Sequence, residues 1–370
     1  MPDPSDSPQV SPLALPADLA RGLAQKHIPG LDGIRAIAVS LVLLFHAGLP
    51  VPGGTGVLLF FVLSGFLITW LLLKEANSTG AISLRSFYVR RTLRILPAFY
   101  IYAAVLLTLF WLRSRPVNVP QLVAALLYVN NYYQGLHGDP NTGFSHTWSL
   151  AVEEQFYLLW PFLFLFLRRN PARMARFLSF AIILVWIYRL VLIYGFHVNQ
   201  GYIYEAFDTR ADSLMIGCLL AVLTHAGLAG KMFHVICSAR WMLPLTLFLL
   251  VLSAAAERAF GVDYRDTIGF ALNGVLAFLL IVQVICVPAS PLNWAPVRYI
   301  GSISYAMYLW QQLLLDVTGK ALTTVFPGIP PALRILLEFA SVIAAASASW
   351  FCVEKPILSL RKRFGLISAA

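Results

Sequence analysis

The stretch IRAIAVSLVLLFHAG, residues 34–48, decides how the whole chain is read. Its two ionisable residues, Arg35 and His46, stand eleven positions apart in otherwise apolar surroundings. A charged side chain near the centre of a membrane helix costs about 2.5–3.5 kcal/mol on insertion scales, so such groups face a protein interior or a wet cavity. Eleven residues at about 100° each complete three turns and about 20°, with a rise of about 16 Å. On a helix, Arg35 and His46 therefore share one face at two depths. Chance aligns two positions this closely about once in nine, by the helical period, so support has to come from the rest of the chain.

Composition places that stretch in a membrane. Hydrophobic residues make up 59% of the 370, charged residues 12%, and mean hydropathy is +0.75, far from the balance of soluble domains. The expected fold class is all-α, a polytopic membrane protein with about ten transmembrane helices. They are expected at roughly 31–50, 55–75, 94–113, 148–168, 176–196, 209–228, 241–257, 267–288, 299–319 and 333–352. A net charge of +10 would suggest nucleic acid as a partner of a soluble protein. Here no nucleic-acid partner is expected, and the charge distribution tests topology instead. With the N-terminus in the cytosol, 18 of the 27 Lys and Arg residues fall in cytosolic segments. Six lie in external loops, and Arg35, Arg189 and Arg210 lie within spans. Both termini are therefore expected in the cytosol.

Three regions follow: a disordered cytosolic tail over 1–28, a membrane domain over 29–356, and a basic cytosolic tail over 357–370. The first region is rich in Pro, Ser and Asp and has no apolar core ahead of a cleavage site, so it does not read as a signal peptide. Cys218, Cys237, Cys286 and Cys352 show no metal-ligand spacing. They are expected as buried small apolar residues, and no metal is expected.

This topology assigns depths to the polar residues. His46 lies about one turn from the external end of the first span, and Glu153 and Glu154 lie about 8 Å inside the external boundary at Trp148, at 1.5 Å per residue. A histidine and a carboxylate can meet there. Arg210 and Asp212 open the sixth span near the same face, as candidate substrate-binding residues. On the cytosolic side Arg90, Arg91 and Arg94 cluster level with Arg35, and arginine's planar fork suits phosphate. The same cluster is also what the positive-inside bias produces, and it could equally serve anionic lipid headgroups. Ser64 and Gly65 interrupt the second span, consistent with a cavity or with close helix packing. Phe60, Phe61, Phe66 and Trp70 are candidates to line an acyl pocket or to face lipid.

Seven segments in order carry a resemblance: LDGIRAIAVSLVLLFH (31–46), FFVLSGFLIT (60–69), RRTLRILP (90–97), HTWSLAVEEQFYLLWP (146–161), TRADSLMIG (209–217), ISYAMYLWQ (303–311) and VEKP (353–356). The series resembles the acyltransferase 3 family of membrane acyltransferases. The resemblance implies a ten-helix domain that moves an acyl group, commonly acetyl from acetyl-CoA, to an extracytoplasmic carbohydrate, glycoconjugate or other hydroxylated acceptor. It assigns His46 a catalytic role, implicates Arg35, Arg91 and Arg94 in activity, and matches the family carboxylate to Glu153, with Glu154 beside it. The terminal motif matches Glu354, Lys355 and Pro356. Gln311 stands where many members have His, so no base is expected there. Some members carry an external hydrolase-like domain that completes transfer, and none is expected here.

The combined expectation is a multi-pass protein of a bacterial inner (plasma) membrane. Arg35, Arg90, Arg91 and Arg94 would hold the phosphates of acyl-CoA, and His46, oriented by Glu153, would take the acceptor's proton. An acyl-histidine intermediate is the mechanistic alternative. A secondary transporter of an anionic or sugar-linked substrate is the alternative class, although the paired halves common in transporters are not visible.

Overall fold

The computed structural model describes residues 15–25, 27–287 and 291–359. Among them are seventeen α-helices and no strand. In chain order they are α1 (Ala17–Ala24), α2 (Pro29–His46), α3 (Gly53–Thr79), α4 (Leu84–Leu112), α5 (Val119–Leu126), α6 (Asn130–His137), α7 (Thr147–Leu167), α8 (Pro171–Tyr194) and α9 (Gln200–Glu205). There follow α10 (Phe207–His225), α11 (Gly230–Ser238), α12 (Met242–Tyr264), α13 (Phe270–Cys286), α14 (Ala295–Ser302), α15 (Ser304–Val325), α16 (Pro331–Ser349) and α17 (Lys355–Ser359).

Local chemistry sets the ends of the long helices. Pro29 opens α2 at a position where its missing N–H is no loss. The Ser83 hydroxyl caps α4 by accepting from the Ser86 N–H, and Asn170 does the same for α8. Gly80, at φ 71°, closes α3 in the left-handed conformation.

Seven segments are long and apolar enough to cross a membrane, or eight if one bent helix pair counts as a single span. This differs from the ten expected spans at three places, each with a physical reason. The expected spans at 241–257 and 267–288 fall in one continuous helical segment, Met242–Cys286, of 45 residues. A straight helix of that length would extend about 67 Å at 1.5 Å per residue, about twice the hydrocarbon core. The segment instead breaks at Gly261 (φ 66°) and a π-helical turn, Arg265–Gly269, and doubles back. Gln283, near its end, donates to the Thr246 hydroxyl near its start at 3.1 Å. The span at 209–228 belongs to the bent pair, whose two parts meet at 101°. The span at 299–319 corresponds to α15, which carries Gln311, Gln312, Asp316 and Lys320 and is not among the seven. Its polar face is used by the site described below.

The core is built on α2, α3 and α10. At the crossing of α3 and α10 a Cβ on Gly65 would stand 1.9 Å from the Leu214 carbonyl oxygen, and one on Gly217 would stand 2.0 Å from that of Val62. Glycine is required at both positions for the backbones to approach so closely. Around this centre Ile34, Val62, Phe66, Phe99 and Leu214 are fully buried. In contrast, Phe180, Ile183, Leu184 and Ile187 on α8 stand 50–66% exposed. A run of large apolar side chains turned outward fits a helix solvated by lipid.

Two expectations are corrected. The tail expected to be disordered through residue 28 contains α1, whose Leu19 and Leu23 are buried and whose Gly22 lies against Ile285. Residues 1–14, 26 and 360–370 of the expected tails lie outside the described residues, while 357–359 belong to α17. Of the four cysteines only Cys218 is a free, buried residue; Cys237 and Cys286 form a disulfide joining α11 to α13, and Cys352 is exposed. The fold-back of α11 onto α13 brings the pair together, which spacing along the chain could not reveal.

Candidate active site

Two cavities lie along α2. The inner one, about 270 Å³, is lined by Arg35, Arg91, Arg94, Glu153 and Glu154, with Phe60, Phe61, Ser64, Tyr157 and Tyr308 among the other side chains. Arg35 donates from Nη1 to Asp32 Oδ1 at 3.0 Å, and Asp32 Oδ2 is 2.7 Å from His27 Nε2. The Arg91 guanidinium lies 4.4 Å from the centre of the Tyr157 ring. The Ser64 hydroxyl donates to Glu153 Oε1 at 2.6 Å. Ser64 thus faces the cavity while its neighbour Gly65 packs on α10, which separates the two roles that the sequence left open for this pair. Phe60 and Phe61 line the cavity, whereas Phe66 and Trp70 stack on each other at 5.9 Å. Three guanidinium groups against two carboxyls leave the lining with an excess of basic groups.

The outer cavity, about 720 Å³, lies at the C-terminal end of α2 and includes His46, Gln312, Asn141 and Thr142 in its lining. Tyr308 belongs to the inner lining and Gln312 to the outer. These residues are one turn apart on α15, so the partition between the cavities is only about 6 Å thick by helical rise. It is made of buried polar groups. His146 Nδ1 is 3.0 Å from Gln312 Oε1, and the Tyr308 hydroxyl donates to the His146 carbonyl at 3.1 Å while sharing a 2.5 Å hydrogen bond with Ser149. Tyr102 and Tyr308 both meet the His146 ring edge to face.

The tautomer of His46 is set by its own backbone. Nδ1 lies 2.8 Å from the Val42 carbonyl oxygen. A carbonyl only accepts, so the proton of the neutral ring sits on Nδ1 and the lone pair on Nε2. Gln311 lies against His46, fully buried, and its side-chain amide is a second hydrogen-bonding group beside the ring.

Several sequence-based placements are corrected here. Glu153 does not orient His46: it lines the inner cavity with Ser64 and Glu154, while His46 lines the outer one. The reason is that α7 begins at the partition rather than at a membrane boundary. Six residues from Thr147 then carry Glu153 about 9 Å further toward the N-terminal end of α2. Arg90 is outside the inner lining and donates from Nη2 to Glu75 Oε2 at 2.7 Å, while Glu75 Oε1 accepts from the Ser83 N–H. Asp212 is committed to the fold: it pairs with Arg189 at 3.0 Å and accepts from the Trp186 indole at 2.9 Å. Arg210 stands over Phe270, 3.7 Å from the ring centre, and donates to the Tyr204 carbonyl. Neither Arg210 nor Asp212 lines either cavity.

Sequence reasoning missed His146, Tyr308 and Gln312. His146 heads the HTWSL segment and Tyr308 sits in ISYAMYLWQ, so both were in view, but only their meeting between α7 and α15 gives them a place. Among the described residues no group of three or more His, Cys, Asp or Glu side chains gathers within metal-binding range.

Comparisons with known proteins agree with the motif series. The peptidoglycan O-acetyltransferase OatA of Listeria monocytogenes serovar 1/2a is 31% identical, over 90% of this chain and 56% of its own length. The protein YrhL of Bacillus subtilis (strain 168) is 32% identical, over 90% and 55%. SACOL0978 of Staphylococcus aureus (strain COL) is 30% identical, over 90% and 57%. The chain thus spans about half the length of the curated relatives it matches. No solved structure matches it significantly. With the family model of the acyltransferase domain matching residues 28–353, the chain belongs to that acyltransferase family.

Proposed function

We propose that this chain moves an acyl group, acetyl first among the candidates, from acyl-CoA on the cytosolic side of a bacterial plasma membrane to a hydroxyl of an extracytoplasmic carbohydrate or glycoconjugate. The observation that carries the reading is the placement of His46. His46 belongs to a polar outer cavity that a layer about 6 Å thick, one turn of α15, separates from a basic inner cavity. Relatives named for peptidoglycan O-acetylation support an acetyl donor and a glycan acceptor.

In this reading the membrane is crossed ten times and both termini are cytosolic. The fold-back within Met242–Cys286 and the packing of α15 between α2 and α16 support the count, and the 18-to-6 division of Lys and Arg supports the orientation. The inner cavity is smaller than the usual range of about 300–1,000 Å³ for a drug-sized ligand. It suits the pantetheine arm, with Arg35, Arg91 and Arg94 facing the phosphates at its basic mouth and the thioester end passing through the thin layer to reach His46. Phe60 and Phe61 supply apolar walls.

The acceptor hydroxyl gives its proton to His46 Nε2 as its oxygen attacks the thioester carbonyl carbon. The C–S bond breaks, the CoA thiolate leaves, and the imidazolium returns the proton to sulfur. The Gln311 amide, beside His46, can donate to the oxyanion of the tetrahedral intermediate. The experiment is transfer from labelled acetyl-CoA to cell-envelope glycan by purified protein in lipid nanodiscs. His46→Ala is expected to lower turnover at least about 100-fold, the low end for a general base, with membrane insertion intact. Near-normal turnover in that variant would remove His46 from the chemistry.

A further inference from the structure

The outer cavity is much larger than an acetyl group needs, and its charges do not cancel. Its lining includes Arg113, Arg115, Lys320 and Arg334 against Asp316 and Glu338. Both carboxylates are already matched from their own helices: Lys320 Nζ lies 2.6 Å from Asp316 Oδ1, and Arg334 Nε lies 3.4 Å from Glu338 Oε1. A Cβ on Gly319 would stand 2.6 Å from Glu338 Oε1, so glycine lets this carboxylate tuck against α15, where it is 4% exposed. Among the described residues, Arg113 and Arg115 form no ion pair.

Backbone geometry holds these two arginines at the cavity. The chain leaves α4 through Ser114 at φ 48°, a left-handed conformation that a residue with a Cβ rarely adopts. The turn is closed by the Arg115 N–H donating to the Phe110 carbonyl at 2.9 Å. Arg113 and Arg115 on either side of this turn both reach the lining that also contains His46. Asn141, itself at φ 52°, also lines the cavity and adds an amide suited to hydroxyls.

We infer that the outer cavity takes a saccharide bearing a negatively charged group, a carboxylate or a phosphate, which Arg113 and Arg115 hold while a sugar hydroxyl meets His46. The inference rests on the acyltransferase reading for the role of His46 but not for the charge preference. Arg–carboxylate and Arg–phosphate contacts are charge-assisted, and on a partly open rim they weaken with added salt.

The test measures binding rather than turnover, so that its failure is separable from failure of the acyltransferase reading. Full-length protein in zwitterionic nanodiscs is titrated with tetra-N-acetylchitotetraose, which is neutral, and with a hyaluronan tetrasaccharide, which carries two carboxylates. The expected result is at least about 10-fold tighter binding of the carboxylated sugar, equivalent to about 1.4 kcal/mol. R113Q/R115Q should erase the preference, R113K/R115K should keep most of it, and both should keep the wild-type melting temperature. Equal affinity for the two sugars, or a preference that survives R113Q/R115Q, overturns the inference. So does a result in which R113Q/R115Q lowers only the retention of phosphatidylglycerol by the purified protein, which would assign the arginines to lipid headgroups. Loss of transfer from acetyl-CoA in the wild type would instead overturn the acyltransferase reading and leave the charge preference to be judged on its own titration.

Discussion

Arg189 with Asp212, and Arg91 and Arg94 with Glu153, set arginines beside carboxylates in the same chain, the first pair buried and the second group partly open, and they do different work. At the first site three hydrogen bonds join α8 to α10, the Arg189–Asp212 contact among them. Arg189 also donates to the Thr209 carbonyl at 2.8 Å, and Asp212 also accepts from the Trp186 indole and the Ser213 N–H. At the second site the same residue types line empty space, and Glu153 takes its hydrogen bond from a serine rather than an arginine. Charge alone is therefore a poor marker of function in a membrane. What distinguishes a site is a charge that the fold leaves facing a cavity.

The largest expected effect on stability falls at the closed pair. Asp212→Asn leaves Arg189 buried without its counter-charge, and breaking a buried pair costs about 3–5 kcal/mol. The variant is expected to show a strongly lowered melting temperature in detergent, while any protein that remains folded keeps its affinity for acetyl-CoA. Normal stability combined with lost acetyl-CoA binding would move Asp212 into the site and break the comparison.

At the open cluster the expected order is reversed. Arg91→Gln and Arg94→Gln should each weaken acetyl-CoA binding about 10-fold or more, since a hydrogen bond to a charged group contributes about 1.5–3 kcal/mol. Their melting temperatures should move far less than that of Asp212→Asn. Unchanged affinity in both would return these arginines to a topological role, as residues of the positive-inside pattern.

The sequence made the fold class and the ends of α2 legible because hydropathy and the 3.6-residue period are local signals. Arg35 and His46 do line the two cavities, one at each end of a single helix. The partners of His46 were illegible for the opposite reason. Depth along the spans pairs Glu153 with it if Trp148 marks a boundary, whereas α7 starts inside the protein beside Tyr308. Arg210 and Asp212 face neighbours rather than either cavity, and in sequence a polar helix opening looks the same whether it faces a cavity, an arginine or a ring such as Phe270. The span count departed from expectation where polarity along α15 and the turn at Gly261 conflict with a test of apolar length. In each case the missing information was tertiary: which helix packs on which.

The smallest effect is expected at Arg90, and it tests the same distinction most finely. Arg90 and Arg91 are adjacent in sequence, carry the same charge and were grouped as phosphate ligands, yet successive residues on a helix point about 100° apart. Arg90 turns to Glu75 and so ties the start of α4 to the end of α3, with side chains 24% and 15% exposed, whereas Arg91 turns to the inner cavity. An ion pair this accessible contributes about 0–1 kcal/mol. Arg90→Gln is therefore expected to leave acetyl-CoA affinity within about twofold of wild type and to lower stability by no more than that amount. Isothermal titration of Arg90→Gln beside Arg91→Gln reads the difference directly. If the two variants lose affinity equally, acyl-CoA senses the summed positive field of this segment rather than groups presented to the cavity, and the line drawn between closed and open charges would not hold on α4.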